Sequence, residues 1–259
     1  MQPGTAKTNK FHFSTATLCV APMAEQKAIH PLNHSLGLVK NVRAEVTTSK
    51  VDLTQGLTND IVATVTNGMN LTMSAEVYEY TAKNFAYGLS QDPTGIVDMG
   101  APVGITGPVA GAATTLTTAT AIAGLAVGDW IYIQEAKDDQ IHVARLSAVA
   151  DTALTFAGFP VPVGMSFSAN ARVGKLNKID ADPAKANNNF AVRIIGVSVN
   201  DNLPIILHFP KVRITRGFSI GFSSENFANL PFEFTPMVPL PADPGYDAAY
   251  PQKMSILSS

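Results

Sequence analysis

The sequence predicts a mainly β protein, a β-sandwich or barrel that carries one short α-helix and is interrupted by an inserted small β module. Three observations predict it. From Met69 the apolar residues Met69, Leu71, Met73, Ala75 and Val77 fall on every second position, with Asn70, Thr72, Ser74, Glu76 and Tyr78 between them. That is the period of a strand with one buried face. The 259-residue chain is 46% hydrophobic but only 15% charged, against ~25% charged residues in an average soluble domain. Such a β-rich surface risks edge-to-edge pairing unless copies of itself cover it. Finally, short alternating runs broken by turn residues recur between residues 114 and 176, as small all-β modules require.

The elements follow in order. Residues 1–35 mix Pro, His, Asn and Lys around one short strand-like piece, "FHFSTATLCVAP", and read as an arm that becomes ordered against neighbours. In "GLVKNVRAEVTTSKVDLTQG", Val42, Ala44, Val46 and Thr48 share one face and Arg43, Glu45, Thr47 and Ser49 the other, until the pattern shifts at Lys50. Residues 50–60 carry Gly and polar turn formers and read as a loop. "NDIVATVT" reads as the next strand, and Asn67-Gly68 suits a type I′ turn, so residues 60–80 are predicted to form a hairpin.

The period then changes. Phe85 and Leu89 stand four apart, Ala82 and Ala86 share a neighbouring face, Thr81 is placed to cap, and Asp92-Pro93 is placed to stop the helix. Residues 94–113 are dense in Gly and Pro and read as a linker. In the module, Ile131 and Ile133 are expected to meet Ile141 and Val143 across an acidic turn at Asp138-Asp139, and Trp130 looks buried among apolar neighbours. Long strands resume near Ala191, with Phe232 and Phe234 alternating against Glu233 and Thr235. The proline-rich tail from Pro239 is expected to lie over a surface, because prolines remove ladder donors. The organisation is therefore an arm at 1–35, a main β domain at 36–104 and 176–239, the module at 105–175 and a tail at 240–259.

Chemistry is sparse. Net charge is −2, from 18 Lys and Arg against 20 Asp and Glu, so no basic field gathers phosphates. Cys19 is the single cysteine, which excludes an intrachain disulfide and a cysteine-based zinc cluster and reads as a buried small hydrophobe. His30 and His34 have a chelating spacing, but Pro31 between them argues against the helix this needs. Asp138, Asp139 and His142 resemble a catalytic cluster only by adjacency, and neither Gly-rich stretch ends in the Lys-Ser or Lys-Thr of a phosphate loop. Lys211, Arg213 and Arg216 form the densest basic group and are expected to pair with carboxylates of a neighbouring strand or subunit. No enzyme, cofactor or metal is expected. The N-terminus does not read as a secretory signal, and no stretch reaches the ~18 apolar residues of a membrane span, so a soluble, unprocessed chain is expected.

With these elements in order, the sequence resembles the major tail tube proteins of long-tailed bacteriophages. The likeness lies in "GLVKNVRAEVTTSKVDLTQGLTNDIVATVTNGMNLTMSAEVYEYTAKNFAYGLSQD", in "VGDWIYIQ" and "DDQIHVARLSAV", and in "HFPKVRITRGFSIGFSSENFANLPFEFTPM". It is a likeness of element order and phrases over most of residues 36–239. It implies a tail-tube-type β-sandwich with a helix on one side. Subunits of this kind form hexameric rings that stack into a tube through which genome DNA leaves the capsid, without specific binding.

Under that resemblance the polar face of the 70–78 strand lines or adjoins the channel. Thr72, Ser74 and Glu76 are the leading lumen candidates, followed by Thr64, Thr66, Glu45 and Thr47. Ring-to-ring contacts are expected from Lys50, Asp52, Thr54, Gln55, Asn59 and Asp60, from the arm and from the tail. Deleting residues 1–30 is expected to leave a folded subunit that polymerises poorly. The implied partners are further copies of the chain and other tail proteins, namely tape measure, terminator, distal tail or baseplate and, in a contractile relative or tailocin, a sheath. The implied location is the virion tail, assembled in the host cytoplasm. The rival from another class is a carbohydrate- or receptor-binding β protein that uses the inserted module.

Overall fold

The computed structural model describes residues 12–55, 60–97, 100–136, 140–186, 188–198, 203–217, 219 and 229–258. The fold is mainly β, and the chain divides between Thr94 and Gly95 and again between Asp180 and Ala181 into two compact units. The predicted β class is observed.

The first unit is one sheet. Its strands are β1 (His12–Pro22), β2 (Val39–Gln55), β3 (Asp60–Val77), β11 (Phe190–Ser198), β12 (Pro204–Arg216), β13 (Leu230–Pro236) and β14 (Ser255–Ser258). The order across the sheet is β1-β11-β12-β13-β3-β2, all antiparallel, with β14 added against β12. The sheet curls until β1 meets the segment that leads into β2: the Leu36 N–H donates to the Leu18 carbonyl at 3.0 Å, and Cys19 bridges Ser35. Leu18, Val20, Leu71, Met73, Val77, Phe190, Phe209, Phe232 and Phe234 share the core so enclosed. Phe232 and Phe234 stack with ring centroids 5.7 Å apart, on the face that their alternation with Glu233 and Thr235 predicts.

The helix is α2 (Ala82–Gly88), capped by Thr81, whose hydroxyl accepts the Asn84 N–H at 3.1 Å. The expected cap is thus the observed one. Its buried residues are Asn84, Ala86 and Tyr87, whereas Phe85 and Leu89 are only half-buried. The helix stops at Gly88, ahead of Asp92-Pro93. A Cβ on Gly88 would lie 2.3 Å from the Gly217 carbonyl oxygen, so a side chain there would force the helix away from the chain just beyond β12.

Five expectations for this unit change. Residues 12–22 are a strand of the sheet with Leu18 to Ala21 fully buried, so this part of the expected arm belongs to the core, and deleting residues 1–30 would remove it. Asn67-Gly68 is no turn: β3 runs through it, and the strand pair reverses between Gln55 and Asp60. Residues 50–55 are therefore strand rather than loop. Pro31 is the first residue of a one-turn helix, α1 (Pro31–His34), a position where its missing N–H costs nothing. The tail lies in turns from Leu240 to Tyr250, but Ser255–Ser258 pairs with β12, since no proline follows Pro251.

The second unit, residues 95–180, holds two small sheets. One has the order β4-β10-β6-β7, formed by Val103–Gly104, Arg172–Leu176, Trp130–Gln134 and Ile141–Arg145; the other has the order β5-β9-β8, formed by Thr115–Thr117, Ala153–Thr155 and Ala148–Ala150. They share a core of Ile131, Ile133, Ala144, Leu154, Phe156, Phe167 and Val173. β6 does pair β7, but Ile131 faces Ala144 and Ile133 faces His142. Ile141 and Val143 fall on the other side and are exposed, because the turn is one residue out of the register that would match the isoleucines. Asp138 and Asp139 lie outside the described residues.

Candidate functional site

The sheet of the first unit has a polar side, and cross-strand register decides who is on it. Glu45 pairs with Thr72, Thr47 with Asn70 and Arg43 with Ser74, and Ser74 is flanked on its other edge by Glu233. Directly opposed residues share a face. Thr72, Ser74, Glu76, Glu45 and Thr47 are thus brought together, while Leu71, Met73, Ala75 and Val77 are buried in the core. Leu71 and Met73 are therefore not available to an open face, since they are occupied by their own domain.

The face is more charged than expected. Lys40 pairs with Glu76, Arg213 lies opposite Thr235, and Arg216 lies opposite Glu233. A shallow depression of about 310 Å³ is lined by Arg43, Glu45, Thr72, Ser74, Glu233 and Thr235 among others. Carboxylates stand beside the cations: Arg43 meets Glu45 at 3.0 Å, and Arg216 meets Glu233 at 3.1 Å. These pairs are exposed and worth little stability, but they mute the field a bare guanidinium would present. Glu76 is held below the usual carboxylate range, first by a hydrogen bond from the Asn41 side chain and then by the Tyr78 hydroxyl. Lys40 sits 4.9 Å from the centre of the Tyr78 ring.

Three register shifts complicate the alternation read from sequence, the outermost leaving Val62 unpaired between Ala63 and Ile61. Near the domain, Asn41 and Val42 together oppose Ala75, with Asn41 at φ +52°; this keeps Lys40 and Arg43 on one side. Further out, Ser49 pairs with Gly68 and Lys50 with Thr66, leaving Asn67 as an extra residue. Thr64 and Thr66 therefore fall on the side opposite Thr72, with Lys50 and Asp52, and the Thr64 hydroxyl donates to Asp52 Oδ1 at 2.6 Å. Equal parity placed them with Thr72; the extra residue removes them.

Beyond Thr47 and Asn70 the β2–β3 pair leaves the domain as an arm. Residues 46–55 and 60–69 are exposed except for half-buried Gly68, and they include Val46, Val51, Leu53, Ile61, Val62, Val65 and Met69. Lys50, Asp52, Thr54, Gln55 and Asp60 all lie on this arm; Asn59 is outside the described residues. The sequence marked the polar residues as contacts and missed the apolar ones between them, whose signal was a run of β-branched residues with no covering partner.

Other candidates are accounted for locally. His34 Nε2 meets Glu25 at 3.0 Å and its Nδ1 faces the His30 N–H, so both ring nitrogens are engaged. Cys19 is buried, and desolvation pushes its thiol up to about 11. Lys211 pairs with Asp243 of the tail at 2.8 Å. Trp130 is half-buried rather than buried and meets Phe159 edge-on, centroids 5.2 Å apart. Among the described residues no group of three or more His, Cys, Asp or Glu converges to hold a metal, and no helix is long and apolar enough to cross a membrane. No protein-family model matches the chain, and no curated protein matches it in sequence.

Proposed function

We propose that this protein is a self-assembling virion structural subunit whose hexameric rings stack into a phage tail tube, with genome DNA passing through the channel. The observation that carries the reading is the β2–β3 arm. A two-stranded ribbon is marginal by itself in water, and this one exposes Val51, Leu53, Ile61, Val62 and Val65 along its outer part. An apolar ribbon of low charge needs a protein surface to cover it.

The polar face of the same sheet supports the second half of the reading. Thr72, Ser74, Glu76, Glu45 and Thr47 offer hydroxyls and carboxylates to water, and Arg43 and Arg216 carry carboxylate partners. Passing DNA requires a wall that displaces few of the DNA's counterions and grips no phosphate. The proposal places no catalytic step in the chain.

Electron microscopy and sedimentation of the purified protein test it. Stacked rings or tubes are the expected result; particles that stay monomeric at every concentration would overturn the reading. A receptor- or carbohydrate-binding role for the module is the second reading, favoured by the Trp130–Phe159 pair, since Phe159 is 39% exposed. Monomers that bind glycans would establish that role instead.

A further inference from the structure

The arm's two strands carry their apolar residues on different sides near the domain and far from it. Near the domain, Ala44 opposes Met73 and Val46 opposes Leu71, facing the core, while Glu45, Thr72, Thr47 and Asn70 face away. Past Asn67 the assignment reverses. Val51 opposes Val65 and Leu53 opposes Ala63, and these continue the Glu45–Thr72 side of the ribbon. The core side instead becomes polar, with Lys50 opposite Thr66 and Asp52 opposite Thr64, and Ile61 beside Thr54 at the tip.

Two separate devices produce this. In β2 the sequence itself changes phase, from Ala44 and Val46 at even positions to Val51 and Leu53 at odd ones. In β3 Val65 and Ala63 keep the odd positions of Leu71 and Met73, and the extra residue Asn67 moves them across to meet Val51 and Leu53. A bulge that re-aims side chains in this way is a structural feature of the strand, not a defect. Val51, Leu53, Ala63 and Val65 thus share one new side through a change in each strand, until a second extra residue, Val62, returns Ile61 to the Thr54 side at the tip.

We infer that a second copy of this chain packs on the Val51, Leu53, Ala63 and Val65 side of the arm, the side that nearer the domain bears Glu45 and Thr72, while the Lys50, Asp52, Thr64 and Thr66 side stays in water. This rests on the self-assembly proposed above and adds to it the side of the ribbon that docks. The arm is large enough for the purpose: residues 46–55 and 60–69 approach the roughly 20–30 residues that one partner contributes to a standard interface. It carries few charges, Lys50 against Asp52 and Asp60, so a protein surface of the same low charge suits it better than a polyanion. Val51, Leu53 and Val65 are 54%, 64% and 64% exposed, so their apolar area is free to be removed from water on contact.

The test uses the full chain and two pairs of substitutions, all at exposed positions that leave the core untouched. Leu53→Glu and Val65→Glu place charge on the docking side; Thr64→Glu and Thr66→Glu place it on the other. Circular dichroism and thermal unfolding check that each variant folds. The docking-side pair should raise the protein concentration needed for assembly at least about tenfold, the equivalent of ~1.4 kcal/mol per contact, and the other pair should leave it within about twofold. Assembly lost through Thr64 and Thr66 instead, or unaffected by either pair, overturns the inference while leaving self-assembly standing. Unmodified protein that never assembles overturns the proposed function itself, and this inference with it.

Discussion

Replacing Tyr87 by Phe removes one hydroxyl and tests how the curled sheet is closed. β1 is the edge strand of the sheet order, and its outward carbonyls have no ladder partner on that side. The chain supplies substitutes: the Leu36 N–H reaches the Leu18 carbonyl, and the Tyr87 hydroxyl donates to the Val20 carbonyl at 2.8 Å. Tyr87 is 5% exposed and packs edge-on against Phe190, centroids 5.4 Å apart. Phe at this position keeps the ring contact and orphans a buried carbonyl, which costs about 1–3 kcal/mol. For a unit of this size a loss of about 2 kcal/mol lowers the unfolding midpoint by roughly 4–8 °C.

The assay exploits residues that occur once in each unit. Cys19 is buried in the first unit, and Trp130, the only tryptophan, belongs to the second. Thiol labelling of Cys19 during a thermal or urea titration therefore follows the sheet, and Trp130 fluorescence follows the module. Tyr87→Phe should bring Cys19 labelling to lower temperature while the Trp130 transition stays in place. A Cys19 midpoint that does not move would refute the edge-closing role of the hydroxyl. Parallel shifts of both probes would refute the independence of the two units.

Other outcomes follow from the same contacts. Burial, then the nearby Arg193 charge, lowers His208 from 6.5 to about 4. The unfolded chain takes up that proton first, so stability present above pH 6.5 should fall as pH drops toward 4, and His208→Gln should flatten the acid limb of a pH series of urea melts. Asp243→Asn breaks the pairing with Lys211, which holds the tail at 2.8 Å; hydrogen exchange in Ser255–Ser258 should accelerate while exchange in β11 is unchanged. Deleting residues 1–30 should abolish folding of the first unit, because Leu18 and Val20 go with it. Replacing residues 98–176 by a short Gly-Ser linker should leave Cys19 protected, since the module's ends meet where the Asn177 side chain donates to the Val97 carbonyl at 3.0 Å.

Much of the β pattern was legible because it depends on neighbours in the chain. Alternation placed Leu71, Met73, Ala75 and Val77 inside and Thr72, Ser74 and Glu76 outside, and the observed burial follows it. Thr81 as a cap and the Phe232–Phe234 alternation are equally local. The errors have a common physical source. Asn67-Gly68 satisfies the dihedral demands of a tight turn, yet the same pair is accepted inside a long strand once Ser49 and Lys50 supply ladder partners and leave Asn67 as the extra residue.

The sequence by itself determined the class of structure, the buried face of residues 71–77 and of 230–236 and the poverty of metal- or nucleophile-bearing motifs, since these follow from period, charge and composition. Only the tertiary structure decided which strands pair, and with that the rest. Leu18 became core because β11 lay beside it, Thr64 left the Thr72 side because of one unpaired residue, and the Val51–Leu53 stretch became an exposed arm because, among the described residues, β3 alone of the strands of its unit pairs with it. Register and reach are properties of two segments brought together across many residues, and no local pattern in either segment contains them.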